Sequence, residues 1–239
     1  MTKQVSRSIP GLSRRWLSAE FVLKPLAIDL FCGLGGWTEG LLAEGYFVVG
    51  FDIERHEYGE HRYPAELVLQ DVTTLHGSQF RDAALIVASP PCQAYSYRAM
   101  PWKRAKALPP PDNTLFETCF RIQREACGAA GRHIPTVVEN VRGAQKWVGR
   151  ARWHYGSYYL WGDVPALMPV AASIKNNGGS WFNIGSPGQN GTRGNPVTYQ
   201  RCAPTSKAAS AKIAKIPFRL ARWIAATYYP AQEEIHARR

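Results

Sequence analysis

The sequence predicts an α/β protein with an open, doubly wound sheet. Three observations carry that prediction. Short apolar runs recur from Leu26 to Trp161, and most of them stop at an acid, a glycine turn or a proline. The first run leads through closely spaced glycines into a helix start, the order expected of a parallel-sheet unit. A helical stretch then separates the fourth run from the fifth, as crossover connections require.

Taken in order, Leu26 to Leu30 reads as a strand, Gly33, Gly35 and Gly36 as a tight turn, and Trp37 to Ala43 as the opening of a helix. Glycines at such a junction let backbone approach a ligand, and the helix amino end favours an anion. The turn alone suits a nucleotide site or an ordinary strand–helix loop equally well. A second strand near 47 to 52 ends on Asp52. That lies at about the 20-residue spacing at which a carboxylate caps ribose hydroxyls in dinucleotide folds. A third strand near 67 to 70 leads to Asp71, which can accept a hydrogen bond from an adenine amino group or simply face solvent.

Ala84 to Ala88 reads as a buried strand stopped by Ser89-Pro90-Pro91-Cys92-Gln93. Cys92 therefore falls at a strand's carboxyl end, where open α/β sheets place their chemistry. A thiolate there is a strong nucleophile, although a cysteine beside a strand is more often a small buried apolar residue. Residues 94 to 112 hold aromatics, Arg98, Lys103, Arg104, Lys106 and Pro109-Pro110-Pro111, which exclude a regular helix or strand throughout. A loop of that length in a compact domain is usually functional or disordered. A helix is expected from about Thr114 to Ala129, and a strand near 136 to 139 ends on Glu139. A buried Glu at that edge has a raised pKa and can donate a proton near neutrality. Tyr158 to Trp161 reads as a further strand, and Lys207 to Tyr228 as a helical stretch broken at Pro217.

The chain has 239 residues and 45% hydrophobic content, enough for one domain with a sizeable core. Its five cysteines show no metal-ligand spacing, and Cys119 and Cys127 lie too far apart for a zinc pair. No metal is expected, and a reduced, cytoplasmic setting fits best. No apolar run is long enough to span a membrane, and the first residues lack a signal peptide's apolar core. Charge is unevenly placed. Residues 140 to 232 contain one acid, Asp163, against twelve Lys and Arg, so the whole net charge of +11 lies behind Glu139. Such a field favours a polyanion and gives salt-dependent affinity.

The order DLFCGLGG, DIE, SPPCQ and ENV between Ala27 and Gly143 resembles the carbon-5 cytosine-specific DNA methyltransferase family, with a looser match over Ile216 to Ala226. The resemblance implies a Rossmann-like, S-adenosylmethionine-dependent sheet. It implies a nucleophile at Cys92 and, at Glu139, an acid for ring nitrogen 3 and the exocyclic amine of cytosine. It assigns Asp29, Phe31, Gly33, Gly35, Asp52, Asp71 and Leu115 to the cofactor S-adenosylmethionine, with Asp52 where the family more usually has Glu. It makes 94 to 112 a loop closing over a flipped base, and Gln93, Ser96, Arg98, Arg142 and Arg152 candidate contacts to double-stranded DNA. The implied layout is a basic, irregular segment at 1 to 24, a catalytic domain at 25 to 168, a very small target-recognition insert at 169 to 205, and a helical segment at 206 to 239 completing the domain. A compact phage or prophage-like enzyme, monomeric and in a restriction–modification setting, is the expectation.

The chain also departs from the pattern. The family's Gln-x-Arg-x-Arg segment aligns with Trp153-His154-Tyr155-Gly156-Ser157, leaving Arg152 and His154 as substitutes for its arginines. The tail lacks the family's Gly-Asn. Two alternatives therefore stay open: an RNA cytosine-5 methyltransferase, and a catalytically impaired nucleic-acid-binding protein on the same scaffold.

Overall fold

Strand β1 (Leu26–Leu30) lies inside a seven-stranded sheet, between two neighbours, and four of its five residues are buried. In the computed structural model the described residues are 24–95, 109–169, 207, 211, 212 and 214–231. The expectations for the N-terminal segment, for Ser96 and Arg98, and for nearly all of the 169–205 insert lie outside them.

Helix α1 (Gly36–Ala43) follows β1, and β2 (Phe47–Asp52), β3 (Glu66–Leu69) and β4 (Ala83–Ala88) come next. Then come α2 (Thr114–Ala130), β5 (Thr136–Asn140), the short α3 (Gln145–Val148), β6 (Trp153–Tyr155), β7 (Tyr158–Gly162) and α4 (Phe218–Thr227). The sheet order is β3-β2-β1-β4-β5-β7-β6. The first five strands are mutually parallel, and β7 runs antiparallel to both β5 and β6. The order reverses between β1 and β4, the topological switch point at which such sheets form a crevice.

The strands are near-continuous apolar runs because both faces are covered. Alternate residues enter separate cores. Ile28, Leu30, Val49, Phe51, Ile86 and Val138 pack with Phe116, Cys119 and Ile122 of α2. Ala27, Val48, Leu85, Val87 and Val137 pack with Trp37 and Leu41 of α1 and with Leu220 and Ile224 of α4. Helices on both faces make the sheet doubly wound, as the sequence predicts. Helix α2 ends at Gly131, whose φ of 66° lets its amide close the last turn on the Cys127 carbonyl.

The third strand sits at 66–69, one residue earlier than the expected 67–70. Strand β6 is an addition. Two of its three residues are exposed, so no apolar run announces it, and it exists by pairing with β7. Helix α4 starts after Pro217, as the expected break requires, and packs on α1. A side chain at Gly40 would put its Cβ 2.4 Å from the Arg222 amide nitrogen, so only glycine admits this approach.

Candidate active site

The carboxyl ends of β1, β2, β4 and β5 share one edge of the sheet, and the candidate residues gather there. After β1 the chain reverses through Phe31 (φ 56°), Gly33 (φ 51°) and Gly35 (φ 74°). Phe31 is the one non-glycine residue with positive φ among the described residues. An aromatic residue in that region is strained, which marks the turn as held by its surroundings. Gly35 donates to the Cys32 carbonyl at 2.8 Å, and the Cys32 amide donates to Phe51 of β2 at 3.1 Å. A Cβ at Gly33 would meet nothing within 4 Å, whereas one at Gly35 would strike Pro64 and Tyr63. Gly33 therefore lines open space and Gly35 packs inward.

Two acids brace this turn. The Gly33 amide donates to Asp52 Oδ2 at 2.9 Å, and Asp52 Oδ1 accepts from the Ile53 amide at 2.8 Å. His56 Nε2 lies 3.5 Å from the same carboxylate. Asp52 thus ties β2 to the glycine turn while Oδ2, with one bond, retains acceptor capacity. Asp29 is fully buried. The Thr38 hydroxyl donates to its Oδ2 at 2.6 Å and also meets the Tyr63 hydroxyl at 2.7 Å. Burial pushes the Asp29 carboxyl up to about 8, against the pull of the Thr38 hydroxyl and with the Asp52 charge adding to the rise. Its Oδ1 is a buried polar atom without a partner among the described residues. Open space at Gly33 and spare capacity on Asp52 fit a ligand bearing hydroxyl or ammonium donors, while Asp29 is buried behind the turn. Asp71 is exposed and caps its own turn, accepting from the Thr73 amide and hydroxyl, bonds that hold its carboxyl below the usual range. Leu115 is half-buried in the first turn of α2.

The Ser89-Pro90-Pro91-Cys92 turn leaves β4 beside β5. The Ser89 amide donates to Leu30 at 3.1 Å, and Asn140 Nδ2 donates to the Pro90 carbonyl at 2.9 Å. The turn is therefore clamped from both neighbouring strands. Cys92 is half-buried and forms no disulfide, and its carbonyl accepts from Tyr95 at 3.0 Å. Glu139 is 9% exposed. Burial pushes its carboxyl up to about 8, with the Ser89 hydroxyl pulling it back. Ser89 Oγ in turn accepts from Trp37 Nε1 at 2.9 Å. Tyr158 on β7 is pushed up by burial and then by the Glu139 charge, and its hydroxyl donates to the Lys215 carbonyl at 3.1 Å. A Cβ at Gly143 would lie 2.2 Å from the Tyr95 carbonyl oxygen, so the turn carrying Arg142 packs on the turn carrying Gln93. Both of those side chains are exposed. The Tyr95 hydroxyl donates to Asn113 at 2.9 Å, joining the residues on either side of 96–108.

The family profile described as C-5 cytosine-specific DNA methylase matches residues 26–146, just over half of the chain and all of the edge just described. The chain belongs to the C-5 cytosine-specific DNA methylase family. Among solved structures, it is similar to a putative DNA modification methyltransferase encoded within an Escherichia coli prophage. That match has 21% identity and a TM-score of 0.36, covering 52% of this chain and 34% of the other. It is also similar to the Dnmt2 methyltransferase of S. pombe, with 16% identity, a TM-score of 0.34 and coverage of 52% and 36%. A third likeness is to the Entamoeba histolytica methyltransferase EhMeth, with 16% identity, a TM-score of 0.40 and coverage of 62% and 56%. The chain thus spans between about a third and just over half of these proteins. No curated protein matches it.

In this methylase-family chain the edge unites Cys92, Glu139, Gln93, Arg142 and the glycine turn. Arg152 precedes β6, at the end opposite Tyr155, and its amide donates to Leu160 at 2.8 Å. With Arg124, Arg150, Phe116, Phe120 and Trp161 it lines a cavity of about 510 Å³ between α2 and β7. His154 is exposed, its ring stacked on Tyr159. Trp37, Ser89, Tyr95, Asn113 and Asn140 are the site residues that sequence reading missed. The only local signal among them is Asn140, a polar residue closing an apolar strand. No helix among the described residues is long and apolar enough to cross a membrane, and no cluster of metal-ligating side chains occurs among them.

Proposed function

We propose that the chain is an S-adenosylmethionine-dependent DNA (cytosine-5) methyltransferase with Cys92 as nucleophile and Glu139 as acid. The observation that carries this reading is the shared edge. The Cys92 turn is bonded to β5 through Asn140 and to β1 through Ser89, so nucleophile, buried acid and glycine turn are held on one rigid frame.

Cytosine carbon 5 is a poor nucleophile. In the proposed reaction the Cys92 thiolate adds to carbon 6 while Glu139, retaining its proton near neutrality, hydrogen-bonds or protonates nitrogen 3. The ring becomes an enamine whose carbon 5 is electron-rich, and one hard step is divided into easier ones. Phe31, Gly33, Gly35 and Asp52 are the residues to hold S-adenosylmethionine, with Asp29 bracing the turn behind them. When bound, that cofactor supplies an electrophilic methyl group. A base then takes the carbon 5 proton, the Cys92 thiolate is expelled, and nitrogen 3 returns its proton to Glu139, restoring the aromatic ring. The target carbon is hidden inside a stacked duplex, so the base must leave the helix, at a cost of a few kcal/mol. The basic region behind Glu139 supplies phosphate contacts to double-stranded DNA, and an insert as short as 169 to 205 suits a brief recognition site.

The test is transfer of a labelled methyl group from S-adenosylmethionine to DNA, with bisulfite sequencing of the product and RNA as a parallel substrate. Wild-type protein should label DNA at carbon 5 of cytosine. Cys92→Ala should reduce transfer by at least about 10⁴-fold while retaining DNA binding. Transfer to RNA alone, or undiminished transfer by Cys92→Ala, overturns this reading.

A further inference from the structure

We propose that Ser89 and Trp37 are positioning residues for Glu139: the Trp37 indole fixes the Ser89 oxygen as an acceptor, and the one proton of Ser89 is thereby directed at the Glu139 carboxyl. The proposal rests on the reading of Glu139 as the acid that meets cytosine.

The direction of the relay follows from donor chemistry. An indole N–H only donates, and a serine hydroxyl has one proton and two acceptor lone pairs. With Trp37 Nε1 at 2.9 Å from Ser89 Oγ, Ser89 is the acceptor in that bond and remains free to donate onward. Ala88 and Val138 are partners in adjacent parallel strands, so Ser89 and Glu139, each one residue further on, are neighbours on one face, and the Ser89 hydroxyl is the group that pulls on the Glu139 carboxyl. Each member is independently fixed. Trp37 is 2% exposed in the core beneath α1. Ser89 is tied to β1 through its amide. Glu139 sits one residue beyond the Ala88–Val138 pairing that joins β4 to β5. Three elements, α1, β4 and β5, thus converge on one carboxyl.

The relay carries no charge. Glu139 is faced by Ser89, just after β4, and by Tyr158 from β7, whose hydroxyl its charge pushes up. No Lys, Arg or His is paired with it among the described residues. A buried carboxyl without a cation keeps its proton to higher pH. The Ser89 hydroxyl works against this, because a donor favours the ionised form. Ser89 therefore sets both where the carboxyl points and the pH at which it ionises.

The experiment follows the Glu139 carboxyl by ¹³C NMR in protein labelled at glutamate side chains, with the resonance assigned by its loss in Glu139→Gln. Ser89→Ala should raise the titration midpoint by about one pH unit. Trp37→Phe should raise it by less, and Ser89→Thr should restore it. The alkaline limb of the methyl-transfer profile should move in step. An unchanged midpoint in both Ser89→Ala and Trp37→Phe overturns the proposal, and if Ser89→Ala does not fold, Trp37→Phe carries the same test. A wild type that transfers no methyl group overturns the proposed function instead, and the titration still decides the relay.

Discussion

Glu139 and Asp29 are acids placed where an ionised carboxylate is costly, and each is pushed up to about 8, chiefly by burial. A carboxyl whose folded pKa exceeds its unfolded value of about 4.5 contributes fully below that value. Its contribution is lost as pH rises through about 8. Glu139→Gln removes one such group. Urea unfolding should therefore show the variant and wild type nearly equal at about pH 5. At about pH 9 the variant should be more stable, by roughly 1–4 kcal/mol. Equal stability at both values would mean that Glu139 reaches solvent in the folded protein. Asp52 shows why the residue scale was only partly legible. Its position at the end of β2 suggested a ribose contact, but its bond to Gly33 spans 19 residues and has no local pattern. Asn140 to Pro90 and Trp37 to Ser89, separated by 50 and 52 residues, were hidden for the same reason.

At the scale of elements, glycine separates packing from propensity. Gly40 of α1 faces α4, where a Cβ would lie 2.6 Å from Ala221 Cβ. Gly128 of α2 is exposed with nothing within 4 Å. Gly40→Ala should destabilise by about 1–3 kcal/mol, because α4 must move away. Gly128→Ala should stabilise by about 0.5–1 kcal/mol, because alanine is the better helix former. Thermal unfolding of the two variants checks both signs. The same physics decided what could be read beforehand. Strands β1, β2, β4 and β5 are buried on both faces and appear as plain apolar runs. Strand β6, at the sheet edge with Trp153 and His154 exposed, carries no such run.

For the whole molecule, charge and chemistry are segregated along the chain: Cys92 and Glu139 precede a region with twelve basic residues and one acid. Under the proposed function, nucleic-acid affinity should fall steeply with salt, and neutralising Lys or Arg there should weaken every sequence about equally. Fluorescence anisotropy with unrelated duplexes across a salt series measures both effects. The central claim, that Cys92 attacks the base, is tested most directly by covalent trapping on DNA containing 5-fluorocytosine with S-adenosylmethionine present. Fluorine cannot leave as a proton, so the methylated adduct cannot be released. The account predicts a protein–DNA complex that survives denaturation, with mass spectrometry placing the modified base on the peptide containing Cys92, and no complex from Cys92→Ala. A complex that persists in Cys92→Ala, or none from a wild-type protein that methylates ordinary DNA, would contradict it.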